Sequence, residues 1–220
     1  MAMNPIFRAV LLGSLSTVVG CASMKGGTKP EPTEPTTQPP PVASLVDNCD
    51  PTQKEISTQA DALASPYGID QHVAKNFANG KVSWLMTDSA YQKFVVQTGA
   101  KNFGRCNDVA CYLFAAPSET IQGAVEKSKT ADGKHDPAVL GQALGLPAKN
   151  FEGPLRMMTL DLADRKVCAR LPVEADPGVW KCTTPEETDC FKFGGYTSGG
   201  VPEVMVINAP VADAQVAEIP

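Results

Sequence analysis

Few side chains in this 220-residue chain have the types and spacing that catalysis requires. The chain contains two histidines, His72 and His135, and neither belongs to a recognisable serine–histidine–carboxylate order. We expect His72 on the polar surface of a short helix and His135 in a solvated polar loop at residues 132–136. The sequence therefore predicts no catalytic residue and favours a protein that is not an enzyme.

The most distinctive local feature is the glycine-rich stretch at residues 194–203, which contains Tyr196, Ser198 and Glu203. It lacks the Gly-x-Ser-x-Gly spacing of a nucleophile elbow and the Gly-Lys-Ser/Thr ending of a phosphate-binding loop. Glycine permits positive φ angles and close backbone approach. These three side chains and His135 are therefore candidates to line a ligand cleft. The alternative interpretation is a long hairpin loop.

The first twenty residues are typical of an export signal. Arg8 is the only charged side chain among them, and it precedes a short apolar run at residues 9–13. This run is too short to span a bilayer, because a spanning helix needs about 20 apolar residues. We therefore interpret residues 1–20 as a signal peptide that directs the chain into the cell envelope.

The signal ends in Val18-Val19-Gly20-Cys21, which resembles the lipobox of bacterial lipoproteins. The resemblance implies cleavage before Cys21 and attachment of diacylglycerol to its thiol. Together with a further fatty acyl chain such as palmitate, this lipid would anchor the chain in a bilayer. The resemblance also implies sorting to the outer membrane, because Ala22 replaces the aspartate that retains lipoproteins in the inner membrane. The alternative interpretation is an ordinary secretory signal, cleaved one or two residues later.

Residues 21–44 are interpreted as the lipid-carrying cysteine and a proline-rich linker. Six of the 19 prolines lie between residues 25 and 44, and no large apolar residue precedes Val42 in this stretch. Such a segment cannot bury a core. Proline favours extended polyproline II structure at ~3.1 Å per residue, so twenty residues span roughly 60 Å. We expect this linker to hold a folded domain, residues 45–220, away from the membrane.

The domain at residues 45–220 shows mainly helical patterns first and strand patterns later. Asp50-Pro51 and Asp136-Pro137 each combine a capping carboxylate with a proline at the first helical position, so both predict helix starts. Further helices are expected from residues 70, 88 and 118. Strands are expected at residues 81–86, 111–116, 155–162, 167–171, 179–182, 191–193, 204–208 and 214–219. This order predicts an α+β fold in which a helical N-terminal half packs on a mostly antiparallel C-terminal sheet.

Six cysteines lie in the domain, and an even number in an exported chain predicts three disulfides. They are Cys49, Cys106, Cys111, Cys168, Cys182 and Cys190. We favour Cys106–Cys111 across a four-residue loop and Cys182–Cys190 across a polar stretch. These pairs leave Cys49–Cys168, which would tie the first helix to the sheet. No Cys-x-x-Cys pair and no histidine at ligand spacing from a cysteine is present, so the sequence predicts neither a metal site nor a cofactor.

The charge of the chain limits its partners. It carries 24 acidic and 19 basic side chains, a net charge of −5 at pH 7, which argues against nucleic-acid binding. The predicted partners are a lipid bilayer, through acylated Cys21, and an unidentified envelope protein or ligand.

Glycine and proline punctuate the chain from residues 136–141 through residues 194–203. This punctuation is similar to that of C-terminal domains of secreted bacterial polymorphic toxins, and the resemblance assigns no catalytic residue. Two hypotheses follow from the sequence. The first is a membrane-anchored envelope lipoprotein whose domain binds or scaffolds another molecule. The alternative is an exported enzyme or toxin-like effector with a cleft near residues 194–203.

Overall fold

A computed structural model of the chain describes residues 44–64, 67–162, 167–179, 181–184, 190–191 and 194–220. The signal peptide and the linker through residue 43 lie outside the described residues, so both stay predictions, as does acylation of Cys21. The described part forms five α-helices and a seven-stranded antiparallel sheet, which confirms the α+β fold class. Within that part, no helix is both long and apolar enough to cross a membrane.

The elements follow one another in an order that alternates between helices and strands. The helices are α1 (Pro51–Leu63), α2 (Ile69–Asn76), α3 (Asp88–Tyr91), α4 (Ser118–Ser128) and α5 (Pro137–Leu144). The strands are β1 (Lys81–Thr87), β2 (Arg105–Cys106), β3 (Cys111–Pro117), β4 (Leu155–Asp161), β5 (Cys168–Arg170), β6 (Val204–Ile207) and β7 (Gln215–Ile219). A π-helical segment, Gln92–Val96, continues α3. Short 3-10 helices cover Ala148–Phe151 and Val211–Asp213.

The two helix starts expected from Asp-Pro pairs are confirmed. The Asp50 carboxylate accepts a hydrogen bond from the Gln53 amide at the start of α1. The Asp136 carboxylate does the same for α5 through the Ala138 amide, and left-handed Gly145 ends that helix. The start of α2 differs, because the Ile69 amide donates to the Asp61 carboxylate and Gly68 takes the capping position.

Two of the expected strands are wrong over their described residues. At 179–182 and 191–193, the described residues form no strand, and the remainder lie outside the described part. The Val173 amide donates to the Asp176 carboxylate, which fixes the backbone in a turn just before the first of these runs. The two-residue strand β2 was not expected, since two exposed residues carry no alternating pattern.

The sheet has the strand order β5-β6-β3-β1-β4-β7, and β2 pairs with β3 outside that path. Strands β1, β2 and β3 come from the first 117 residues, so the sheet draws on both halves of the chain. Alternating side chains of β1 face opposite sides of the sheet. Val82 and Trp84 pack with residues of α1 and α2, whereas Leu85 packs with residues of α4 and α5.

The sheet is open between β1 and β3. Strand β6 occupies one edge of β3. On the other edge, β1 pairs only at Ser83–Ala116 and Val82–Pro117, and β2 pairs only near Cys111. Among the described strands, none pairs with Leu113–Ala115 on that edge. A gap therefore separates the second half of β1 from the middle of β3.

All three disulfides favoured from the sequence are present, namely Cys49–Cys168, Cys106–Cys111 and Cys182–Cys190. The first joins the residue before the α1 cap to the edge strand β5. Next to it lies the fully buried Arg170, whose guanidinium makes a two-pronged ion pair with Asp176. Its Nε donates to the Gln53 side chain of α1 at 2.8 Å. A disulfide and a hydrogen bond from a charged donor therefore hold the start of α1 against the edge of the sheet.

The disulfides should differ in their effect on stability, because they close loops of different length. Cys49–Cys168 spans 119 residues and Cys106–Cys111 spans 5. In the loop-entropy model these closures contribute ~5 and ~2 kcal/mol to the free energy of unfolding. We expect Cys49→Ala/Cys168→Ala to lose more stability than Cys106→Ala/Cys111→Ala in urea unfolding. Equal losses would contradict the assignment of the long-range bridge as the main covalent support.

Candidate functional site

A cavity of about 880 Å³ lies where β1 separates from β3. This volume is within the range of ligand pockets in proteins, ~300–1,000 Å³. Its wall is mostly apolar and contains three aromatic side chains from the gap itself. They are Trp84 of β1, Phe103 before β2 and Phe114 of β3. The cavity lies in this space because none of the described strands fills it.

The cavity reaches both sides of the sheet. Trp84 and Leu113 belong to the core on the α1 and α2 side. Leu85 and Ala116 belong to the core on the α4 and α5 side. All four residues line the cavity, so one space connects the two layers through the gap in the sheet.

Exposed apolar side chains mark where the cavity meets solvent. Phe94 in the π-helical segment is 57% exposed, and Leu146 after α5 is 39% exposed. Both line the cavity. π-Helical segments are rare in proteins, and those that occur often lie at functional sites. The exposed rim is thus suited to admit an apolar molecule from solvent.

Glu203 is the acidic residue among those lining the cavity. Glu203 is half-buried, and its carboxyl group makes no hydrogen bond or ion pair to the described residues. Burial raises the pKa of this carboxyl to about 7, because a desolvated carboxylate is disfavoured relative to the neutral acid. The cavity therefore contains a group that changes charge near neutral pH.

His72 holds the backbone at Glu203. The structure buries His72 completely, contrary to the expected surface position. Its Nε2 donates to the Glu203 carbonyl at 3.1 Å, and its Nδ1 accepts from the Asn76 side chain at 3.3 Å. Burial lowers the pKa of His72, which favours the neutral ring that this bonding pattern requires. The imidazole thus fixes the start of β6 rather than acting at the surface.

The glycine-rich stretch forms a tight hairpin. The Thr197 amide donates to the Val201 carbonyl at 2.8 Å, and the Glu203 amide donates to the Gly195 carbonyl at 2.8 Å. At the tip, Ser198 Oγ donates to the Gly145 carbonyl at the end of α5, at 3.0 Å. The backbone of this stretch therefore forms the hairpin of the alternative interpretation. Glu203, at the end of the hairpin, lines the cavity.

The four sequence candidates for a cleft do not form one set. The Tyr196 ring packs edge-on against His72, and its hydroxyl accepts from Asn76. His135 has both ring nitrogens 2.7 Å from backbone oxygens, those of Phe151 and Pro220, rather than lying in solvent. Of the four, only Glu203 lines the cavity.

Sequence reasoning missed the role of His72, although a signal was present. Ile69, His72, Val73 and Asn76 follow the i, i+3, i+4, i+7 spacing of a single helix face. The buried Ile69 starts that face, so its spacing predicts burial of His72. The cavity aromatics carried no comparable signal, because their meeting depends on where β1 leaves β3.

Two further polar features lie at the cavity. The Trp84 indole N–H is buried and has no hydrogen-bond partner among the described residues. Ser83 Oγ, by contrast, bonds to Ser118 Oγ at 2.8 Å and Thr159 Oγ1 at 2.7 Å. The described residues contain no group of three His, Cys, Asp or Glu side chains that would hold a metal ion.

Comparisons with protein-family models, with curated proteins and with solved structures each find no match to this chain. Its function is therefore argued from the chemistry of the cavity and from the sequence features.

Replacing Glu203 should change how stability depends on pH. The pKa of this carboxyl rises from 4.5 to about 7 on folding, so the native state binds more protons than the unfolded state between these values. The contribution of Glu203 to the free energy of unfolding of the wild type therefore falls by about 3 kcal/mol as the pH rises from 4 to 8. We expect Glu203→Gln to remove this loss, so its advantage over wild type in urea unfolding should grow by 1–3 kcal/mol, roughly, between these pH values.

The comparison with wild type isolates Glu203, because the contribution of His72 is common to both proteins. Glu55→Gln is the matched control, since Glu55 is exposed on α1. Its difference from wild type should not grow with pH. A Glu203→Gln difference that stays flat from pH 4 to pH 8 would show that the carboxyl is solvated in the native protein.

Proposed function

We propose that this chain is a bacterial envelope lipoprotein, anchored in the outer membrane through acylated Cys21, whose domain binds a ligand in the sheet cavity. The observation that supports binding is the cavity itself: a largely apolar space of about 880 Å³ with an unpaired carboxyl group at its wall. Lipobox, linker and disulfides support the envelope location, because disulfides persist in oxidising compartments.

Binding is favoured over scaffolding because an apolar cavity of this size is costly to maintain in a folded domain. Protein interiors normally pack closely, and apolar atoms that line an open space lose contacts with other protein atoms. Here Trp84, Phe103 and Phe114 surround such a space within a framework closed by disulfides. A domain that only positions other proteins has no need of this internal space.

Binding is also favoured over catalysis. The Ser198 hydroxyl donates to the Gly145 carbonyl, and the nitrogens of His135 contact backbone oxygens. Among the described residues, no hydrogen bond links either of them to Glu203. A nucleophile and its base must lie within hydrogen-bond reach of each other, and these residues make no such pair.

Acylation depends on the thiol of Cys21, so Cys21→Ser should abolish it. We expect wild-type protein to incorporate labelled palmitate and to partition with membranes. The Cys21→Ser variant should incorporate none and accumulate as precursor or as soluble protein. Ser23→Ala, which retains the cysteine, is the control and should label normally. Membrane partition of a mature wild-type chain whose mass contains no lipid would refute the lipoprotein assignment.

Filling the cavity should release whatever the domain carries. Leu85 lines the cavity, so Leu85→Trp places a larger ring in that space, whereas Leu63→Trp adds the same ring at an exposed site on α1. We expect native mass spectrometry of the chain purified from envelopes to detect a bound small molecule in wild type and Leu63→Trp. Leu85→Trp should lose it. A bound mass retained by Leu85→Trp would place the binding site elsewhere.

A further inference from the structure

We propose that the cavity selects a largely apolar molecule that carries one basic amine, and that the Glu203 carboxylate binds this amine. The proposal rests on the ligand-binding part of the proposed function and adds the chemical class of the ligand. It follows from the position of Glu203, from the lack of a partner for its carboxyl and from the character of the cavity wall.

The strand register determines the side of the sheet on which Glu203 lies. Val204 pairs with Ala115 and shares the core of the α1 and α2 side with it, so alternation places the preceding Glu203 on the opposite side, as it does Ala116. Side chains at paired positions share a face. Ala116 faces the core of α4 and α5 and lines the cavity there, together with Val201. Glu203 therefore belongs to the part of the cavity enclosed by these helices.

No described cation neutralises this carboxyl. Arg105 is the basic residue lining the cavity, and its backbone lies opposite Tyr112 where β2 pairs with β3. Tyr112 lies four residues along β3 from Ala116, which is ~13 Å at 3.3 Å per residue. His72 contacts the Glu203 backbone carbonyl, not the carboxyl. Among the described residues, the Glu203 carboxyl therefore has no counter-ion.

A ligand amine would supply the missing partner. An ionised carboxylate that loses water is stabilised by an opposite charge within hydrogen-bond reach. A neutral ligand of the same shape would leave the carboxyl desolvated and unpaired, and an anionic ligand would add repulsion. The apolar wall requires that the rest of the ligand be apolar, because polar groups there would lose hydrogen bonds to water.

Three probes with one apolar body test the charge selection: 4-phenylbutylamine, 4-phenylbutanol and 4-phenylbutanoate. Binding is measured by calorimetry on the exported chain with Cys21→Ser, which retains the whole domain and cannot be acylated. We expect the amine to bind at least tenfold more tightly than the alcohol or the acid. Glu203→Gln should remove this preference, whereas Glu55→Gln should keep it.

Leu85→Trp should weaken all three probes, and circular dichroism checks that it folds. If it does not fold, Val201→Phe fills the same side of the cavity. Equal binding of the three probes, tighter binding of the acid, absence of amine binding, or an amine preference that survives Glu203→Gln would each overturn the proposal. If native mass spectrometry detects a bound molecule but the probes show no preference for the amine, the proposal of an amine ligand is wrong. The proposed ligand-binding function is then still supported.

Discussion

The two-pair contact between β1 and β3 is the constraint on which the rest of the domain depends. Strand β3 meets β6 along one edge, and it shares the other edge between β1 and β2. If β1 paired with β3 along its whole length, the two strands would form a continuous sheet. The space between the aromatic side chains that now line the cavity would then be filled. Gly104 closes the far end of the gap. Its φ is +109°, and a Cβ there would lie 2.4 Å from the Tyr112 carbonyl oxygen, so only glycine lets the backbone approach β3 this closely.

An open sheet needs support at its edges, and β5 shows how this is provided. The strand is three residues long, so only a few backbone hydrogen bonds join it to β6. The Cys49–Cys168 disulfide and the Arg170–Asp176 ion pair secure it. A buried ion pair stabilises only when its remaining donors are bonded, and Arg170 also donates to Gln53 and to the Leu171 carbonyl. Since β5 flanks β6, these bonds also hold the strand that follows Glu203.

Local patterns predicted the elements of this fold better than their arrangement. Asp50-Pro51 and Asp136-Pro137 located helix starts because a cap acts within a few residues of sequence. The short loops between cysteines fixed two disulfides, and elimination gave the third. The gap beside β3 had no such signal, since its register depends on residues more than thirty positions apart. For the site, the sequence named Glu203 but not its environment, because the residues that line the cavity with it, such as Ile121 of α4 and Leu144 of α5, are distant along the chain.

Glu203 lies where the charged form of its carboxyl is disfavoured, and contacts on two sides hold the backbone that carries it. Gly145 and Gly199 meet so closely that a Cβ on Gly145 would lie 2.4 Å from the Gly199 nitrogen, which seats the hairpin on the end of α5. His72 fixes the Glu203 carbonyl from the other side. The backbone on both sides of Glu203 is therefore restrained, so the fold sets the position of its Cα at the cavity wall. A protein that maintains a desolvated acid in this way gives up stability near neutral pH, as ligand sites commonly do when their groups are arranged for a partner rather than for the fold.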